Sequence, residues 1–229
     1  MPTRHIFAAG GGSFGSSVNP RMTRRMLEVT GRQDGSTVLL IPTASGDALE
    51  RIHSFFTECE TLGSKPTCLP LFHSQTWTAN PEELIAQADL IWIGGGSTRN
   101  MLLLWDAWGI EPMLRRAYDR GKVIGGVSAG AICWFEEGNT DSLGPGLGAM
   151  KCLGWLPGSC TPHFDEEPMR KPMLASQLAS GTLKAGIAID GHCTVHFENE
   201  RVTEVIADRP GVNAYRVDAK SVEPLFACV

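Results

Sequence analysis

The residue of this chain best placed to do chemistry is Ser128, in the segment Gly126-Val127-Ser128-Ala129-Gly130. A serine hydroxyl attacks a carbonyl only when the backbone presents it and a base removes its proton, and Gly-x-Ser-x-Gly meets the first need at a strained strand-to-helix turn. That context is present. Val123-Ile124-Gly125-Gly126-Val127 reads as a buried strand, and Ala131-Ile132-Cys133-Trp134-Phe135 can open a helix whose dipole would favour negative charge at Ser128. The chemistry implied is acyl transfer, in which the oxyanion needs N–H donors. Ala129, directly after the serine, supplies one. Gly95 or Gly96 of the run Gly94-Gly95-Gly96 supplies the other, because bare backbone can come close to the reacting carbon. The same run lacks the lysine of a phosphate loop and is not Gly-x-Gly-x-x-Gly.

A base must come from elsewhere, and there are six histidines. His163, in Thr161-Pro162-His163-Phe164-Asp165, leaves a proline-fixed extended segment after the nucleophile and can reach a crevice. His5, His53, His73, His192 and His196 fall at a strand start, on a helix face, in a polar loop and near a late hairpin. A single histidine is more often structural than catalytic, so these residues alone leave the base open.

Positioning such groups takes a sheet. Ile6-Phe7-Ala8-Ala9, Val38-Leu39-Leu40-Ile41, Leu90-Ile91-Trp92-Ile93 and Val123 to Val127 are apolar runs that end in glycine or small polar residues, as strands buried on both faces do. Helical spacing fills the gaps at Ala48 to Leu62, Pro81 to Ala88, Thr98 to Trp108 and Ile110 to Arg120. The alternation predicts an α/β fold, a mostly parallel sheet flanked by helices on both faces, with ligands at the carboxyl ends of the strands. There the chain carries Gly10-Gly11-Gly12-Ser13, Pro42 to Gly46, Gly94 to Thr98 and Ser128-Ala129-Gly130. Asn139 to Pro162 reads as loops or a short hairpin, and Pro168 to Ser180 as a helix. Gly186 to Asp190 and Cys193 to Phe197 read as strands around a turn at Gly191. Val202 to Ile206 and Asn213 to Val217 follow, and this tail is an expected antiparallel C-terminal extension of the sheet.

A chain of 229 residues without linker, repeat or low-complexity stretch is expected to form one domain over 1–229. Its 20 Lys+Arg against 25 Asp+Glu, a net charge of -5, argues against nucleic acid or an anionic membrane as partner. Neither a signal-peptide core nor a run of about 18 apolar residues is present. The seven cysteines (Cys59, Cys68, Cys133, Cys152, Cys160, Cys193 and Cys228) are scattered without zinc or redox spacing, so reduced thiols in a cytoplasmic protein are expected.

Four elements in order, Gly94-Gly95-Gly96-Ser97-Thr98, the elbow at Ser128, Asn139-Thr140-Asp141-Ser142 and Pro162-His163-Phe164, resemble the dipeptidase E (α-aspartyl dipeptidase) family of serine peptidases, whose relatives include cyanophycinases. The resemblance runs from Phe7 to about Phe197. It implies a fold similar to class I glutamine amidotransferases and a peptidase that removes N-terminal aspartate from dipeptides, with Ser128 as nucleophile and His163 as general base. It implies Asp190 as the acid that orients His163, with Asp141 the alternative. Arg170, close after His163, matches an arginine that binds the substrate aspartate, and a guanidinium suits a carboxylate by its forked geometry. Gly95 and Ser97 are expected against the substrate, Ser97 standing where the family often has asparagine. The oxyanion hole is expected at Gly96 and Ala129. No metal or organic cofactor is expected, since nothing in the scheme needs a Lewis acid. The expected partner is a small peptide, bound by a monomer or homodimer. A cyanophycinase-like or broader aminoacyl hydrolase, and a catalytically silent amidotransferase-like binding protein, are the rival expectations.

Overall fold

The computed structural model describes residues 2–12, 14, 20–32 and 35–226, so Ser13 and Cys228 lie outside the described residues. The chain runs β1 (His5–Ala9), α1 (Arg21–Val29), β2 (Thr37–Ile41), α2 (Leu49–Thr61), β3 (Lys65–Cys68), α3 (Pro81–Gln87), β4 (Leu90–Ile93), α4 (Thr98–Trp108), α5 (Ile110–Asp119), β5 (Val123–Val127) and α6 (Ala129–Ile132). It continues through β6 (Phe135–Thr140), β7 (Gly148–Lys151), β8 (Leu156–Thr161), α7 (Arg170–Ser180), β9 (Gly186–Ile189), β10 (Cys193–Glu198), β11 (Arg201–Ala207), β12 (Ala214–Val217) and β13 (Val222–Pro224).

Seven strands form one sheet in the order β11-β10-β1-β5-β4-β2-β3. The five from β1 to β3 are parallel, and β10 and β11 extend that edge in antiparallel fashion. Successive side chains point to opposite faces, so each apolar run serves two interiors. Phe7, Val38, Leu40 and Trp92 pack with Met22 and Met26 of α1 and Phe55 of α2. Ile6, Leu39, Ile41 and Ile93 face Met101, Trp105 and Leu114 of α4 and α5. Burying one such side chain contributes about 1.5–3 kcal/mol. An exposed pair such as Arg115–Asp119, at 2.9 Å, contributes about 0.2–1 kcal/mol, so the interior and not surface charge holds the fold.

Three expectations are corrected. The helix after Ser128 is one turn, Ala129–Ile132. Trp134 and Phe135 are fully buried and pack on Trp105, Trp155 and Phe197, which a strand entering a second layer satisfies and an amphipathic helix would not. The segment read as loops, Asn139 to Pro162, holds the end of β6 and all of β7 and β8 within a six-stranded sheet, β13-β12-β9-β8-β6-β7. The strands that flank Gly191 belong to different sheets, β10 beside β1 and β9 between β8 and β12. Gly191 is therefore a crossing point between the sheets rather than a hairpin turn. Among the described residues no helix is long and apolar enough to cross a membrane.

Candidate active site

The carboxyl ends of β4 and β5 present their following residues to a cleft of about 800 Å³. At the end of β5 the backbone of Ser128 is held at φ 55° and ψ -112°. That region is sparsely populated for any residue with a Cβ and costs on the order of 1–3 kcal/mol. The two glycines of the motif make the bend possible. A Cβ at Gly126 would run into the Gly130 carbonyl, and one at Gly130 into the Ile93 carbonyl of β4. The Ser128 N–H donates to the Ala9 carbonyl at 3.0 Å, tying the elbow to β1.

The amides needed for an oxyanion stand nearby. Ala129 begins α6, where the first N–H groups have no helical partner. A Cβ on Gly95 would come 3.3 Å from the Ser128 Cβ, so bare backbone lies directly against the serine. Gly96, at φ +140, has no room for a side chain because the Ala44 carbonyl occupies it. The Ser97 N–H donates to that same carbonyl at 2.8 Å. Ser97 lines the cleft, and its hydroxyl accepts from the Asn100 N–H at 3.3 Å as the cap of α4. α6 is only one turn long, so the charge-bearing groups that face the cleft here are individual N–H groups rather than the end of a long helix.

His163 enters from the loop between β8 and α7 and lines the same cleft as Ser128. Its N–H donates to the Gly10 carbonyl at 3.1 Å, and that of Phe164 to Ile189 at 3.1 Å, which pins the loop on the ends of β1 and β9. His163 adopts φ 53°, a left-handed conformation, and its carbonyl accepts from the Glu166 and Glu167 N–H groups at 3.2 Å. This tight turn carries Glu166 behind the ring, where Oε2 lies 2.8 Å from Nδ1. Two glycines leave space for the pair. A Cβ on Gly11 would sit 3.2 Å from Nδ1, and one on Gly191 would run into the Glu166 carboxylate. No hydrogen bond joins Ser128 and His163 among the described residues. Such contacts are often long before substrate arrives.

The acid is where structure and expectation part. Asp190 directly follows β9, and its Oδ2 accepts from the Asn213 N–H at 2.9 Å and the Tyr215 hydroxyl at 3.2 Å, tying the end of β9 to β12. The contact on His163 Nδ1 is made by Glu166 instead. Oδ1 of Asp190 is buried with no hydrogen-bond partner among the described residues. Burial raises the Asp190 carboxyl above its ordinary range and nearby Asp165 adds to this, against the Asn213 and Tyr215 donors. Asp141 borders the cleft as an exposed side chain without a hydrogen bond to His163. In the sequence Glu166 is one acid of the run Asp165-Glu166-Glu167, and its spacing of three from His163 in a turn is the one signal of this contact.

Arg170 also borders the cleft but is buried, with Nε 2.7 Å from Glu167 Oε2 and Nη1 2.7 Å from the Asn139 carbonyl. A second guanidinium that the sequence did not single out, Arg51 on α2, stands exposed at the cleft without an ion pair among the described residues.

A strained serine, bare amides beside it and a histidine that faces the same cleft with a carboxylate behind its ring are the features of an α/β hydrolytic enzyme. Residues 6–205 match the family described as Peptidase family S51, and the chain belongs to that family of serine peptidases. It is 38% identical over 214 residues to the "Uncharacterized peptidase YgaJ" of Bacillus subtilis (strain 168), covering 93% of this chain and 92% of that protein. Two solved structures share the fold. The peptidase from an acI-B1 Actinobacterium aligns with a TM-score of 0.74 at 18% identity, over 98% of this chain and 94% of that one. A putative peptidase E protein from Listeria monocytogenes EGD-e aligns with a TM-score of 0.64 at 18% identity, over 90% and 98%.

Proposed function

We propose that the protein hydrolyses short peptides, above all dipeptides with N-terminal aspartate, through Ser128, His163 and a carboxylate. The observation that carries the reading is the strained Ser128 facing one cleft with a histidine whose Nδ1 is 2.8 Å from Glu166. A carboxylate at Nδ1 holds the proton there and leaves Nε2 free to act as a base. Ser128 Oγ then bonds to the peptide carbonyl carbon while Nε2 takes its proton. The oxyanion is received by the amides of Ala129 and of Gly95 or Gly96. Return of the proton to the leaving amine breaks the C–N bond, and water, deprotonated by His163, releases the aspartate.

Glu166 is the orienting acid in this reading. Asp190 is the rival, favoured by its buried, unpartnered Oδ1. For the substrate side-chain carboxylate, Arg170 has its charge answered by Glu167, whereas Arg51 is unpaired among the described residues, so Arg51 is assigned and Arg170 is the competitor. The partner is thus a small peptide, with no role for nucleic acid, membrane or cofactor in the reaction.

Fluorophosphonate labelling together with a dipeptide panel tests this. Labelling at Ser128 that His163→Ala weakens, with hydrolysis of Asp-Leu ahead of Ala-Leu and of β-linked Asp-Arg, supports the reading. An intact protein that takes no label would remove the serine mechanism. Preference for the β-linked substrate would turn the reading to a cyanophycinase-like hydrolase. Arg51→Met should raise KM for Asp-Leu and leave Ala-Leu unchanged; the same pattern in Arg170→Met alone would move the carboxylate site there.

A further inference from the structure

At the opposite ends of the same strands lies a second cluster. His5 opens β1 beside Val123 of β5, four residues below the Ala9–Val127 pair that leads into the Ser128 elbow. Across β10 the register sets His5 opposite Glu198 and Phe7 opposite His196, and across β11 it sets His196 opposite Glu204. Residues opposite or two apart share a sheet face, so all of these side chains project to the α1 side.

The distances among them are those of a ligand set. His5 Nδ1 is 3.0 Å from His196 Nε2, and Glu198 Oε1 is 3.9 Å and 4.0 Å from the same two nitrogens. An ion in the plane of these three atoms, about 2.1 Å from each nitrogen, falls about 2.2 Å from Oε1, and both lengths are within bonding range for zinc. His196 is fixed by stacking on Phe7, with ring centroids 4.0 Å apart, and its other nitrogen lies 3.7 Å from Glu204 Oε2. At that distance the carboxylate attracts the far nitrogen without hydrogen-bonding it, which favours the proton there and leaves the lone pair of Nε2 to the cluster. His5 and Glu198, with 15% and 40% of their side chains exposed, are the ligands free to adjust and the route from solvent.

Charge agrees with a dication. Arg25 of α1 pairs with Glu204 at 2.9 Å and Glu28 at 3.2 Å, and Arg201 stands opposite Glu198 in the register, so with Glu198 there are three carboxylates against two guanidiniums. Two imidazoles and one carboxylate suit a borderline ion such as Zn²⁺, whereas Mg²⁺ and Ca²⁺ prefer oxygen alone.

We infer that His5, His196 and Glu198 bind one Zn²⁺ ion, which ties the first strand to the β10–β11 hairpin. Water completes the coordination. On binding, the hydrogen that the two ring nitrogens share moves through solvent to the far nitrogen of the ring that carried it, so that each imidazole stays neutral and turns a lone pair to the metal. Because the ligands on β1 and β10 are 191 residues apart, the ion closes a long loop of chain and acts on stability, not on the peptidase reaction.

The test is calorimetric titration of tag-free protein, stripped of metal, with Zn²⁺ at pH 7.5 and with Mg²⁺ in parallel. The expected result is one Zn²⁺ site of micromolar or tighter affinity, with no Mg²⁺ binding. The melting temperature should rise by roughly 5–10 °C at free Zn²⁺ about a hundred times Kd. His5→Gln and Glu198→Gln, both at partly exposed positions, should each weaken binding about tenfold or more. His163→Ala should bind Zn²⁺ as the intact protein does, which separates this cluster from the cleft and makes the result independent of the peptidase reading. Absence of saturable binding, binding left intact in the His5→Gln, Glu198→Gln double variant, or binding lost only with His163→Ala would each overturn the inference.

Discussion

Ser128 and His163, the proposed nucleophile and base, reach the cleft by different routes. Ser128 is set by five consecutive residues, Gly126 to Gly130, in which the strain and the glycines that permit it are neighbours in the chain. His163 and Glu166 sit on a loop pinned to Gly10 on one side and to Ile189 and Gly191 on the other, two places far from it in sequence that two sheets bring together. The first arm is a local conformational device. The second is a tertiary one, and it is the arm on which sequence reasoning chose a different acid.

The largest effect is expected where the local arm is cut. Ser128→Ala should lower kcat by about 10⁴-fold or more and abolish fluorophosphonate labelling. Ser128→Gly should be equally inactive yet melt at a higher temperature, because glycine adopts φ 55° without strain. An unchanged melting temperature would show that the strain is not stored there.

Next comes the tertiary arm. Glu166→Gln retains the shape but offers Nδ1 an N–H, which favours the wrong tautomer; kcat should fall by about 10²–10⁴-fold. Asp190→Asn keeps an oxygen for the Asn213 N–H and the Tyr215 hydroxyl, and kcat should stay near that of the intact enzyme. The reverse ranking would return the orienting role to Asp190.

The glycine pair sharpens the contrast. Gly191→Ala places a methyl in the Glu166 carboxylate and should reduce kcat in the direction of Glu166→Gln with a smaller loss of stability. Gly126→Ala drives a methyl into the Gly130 carbonyl and should destabilise the whole fold by about 1–3 kcal/mol, read by urea unfolding.

The smallest effect concerns stability. Since burial raises the Asp190 pKa in the fold, the ionised carboxylate opposes folding above that pKa, and the penalty fades as pH falls toward the ordinary value. Asp190→Asn should therefore match or exceed the intact protein in stability at pH 7, and the gap should narrow on acidification. A gap that widens in acid would contradict the direction of the shift.

The sequence by itself determined the α/β alternation, four of the five parallel strands and the elbow, because buried strands and a strained turn each leave a mark within a few adjacent residues; the edge strand β3, Lys65-Pro66-Thr67-Cys68, is only partly buried and carries no such apolar run. It marked His163 only as one histidine among six, and a family resemblance gave it the role of base. Other features carry no local mark. Whether β9 and β10 share a sheet, whether Phe135 continues a helix or starts a strand, and which carboxylate meets Nδ1 depend on which surfaces remain to be covered after the first sheet has formed. Glu166 reads as one acid in a solvated run until the turn at His163 folds it behind the ring. His5 and His196 read as unrelated until β10 pairs with β1. Only the tertiary structure decided these, since hydrogen-bond and ligand geometry is set in space, over distances along the chain that no spacing pattern records.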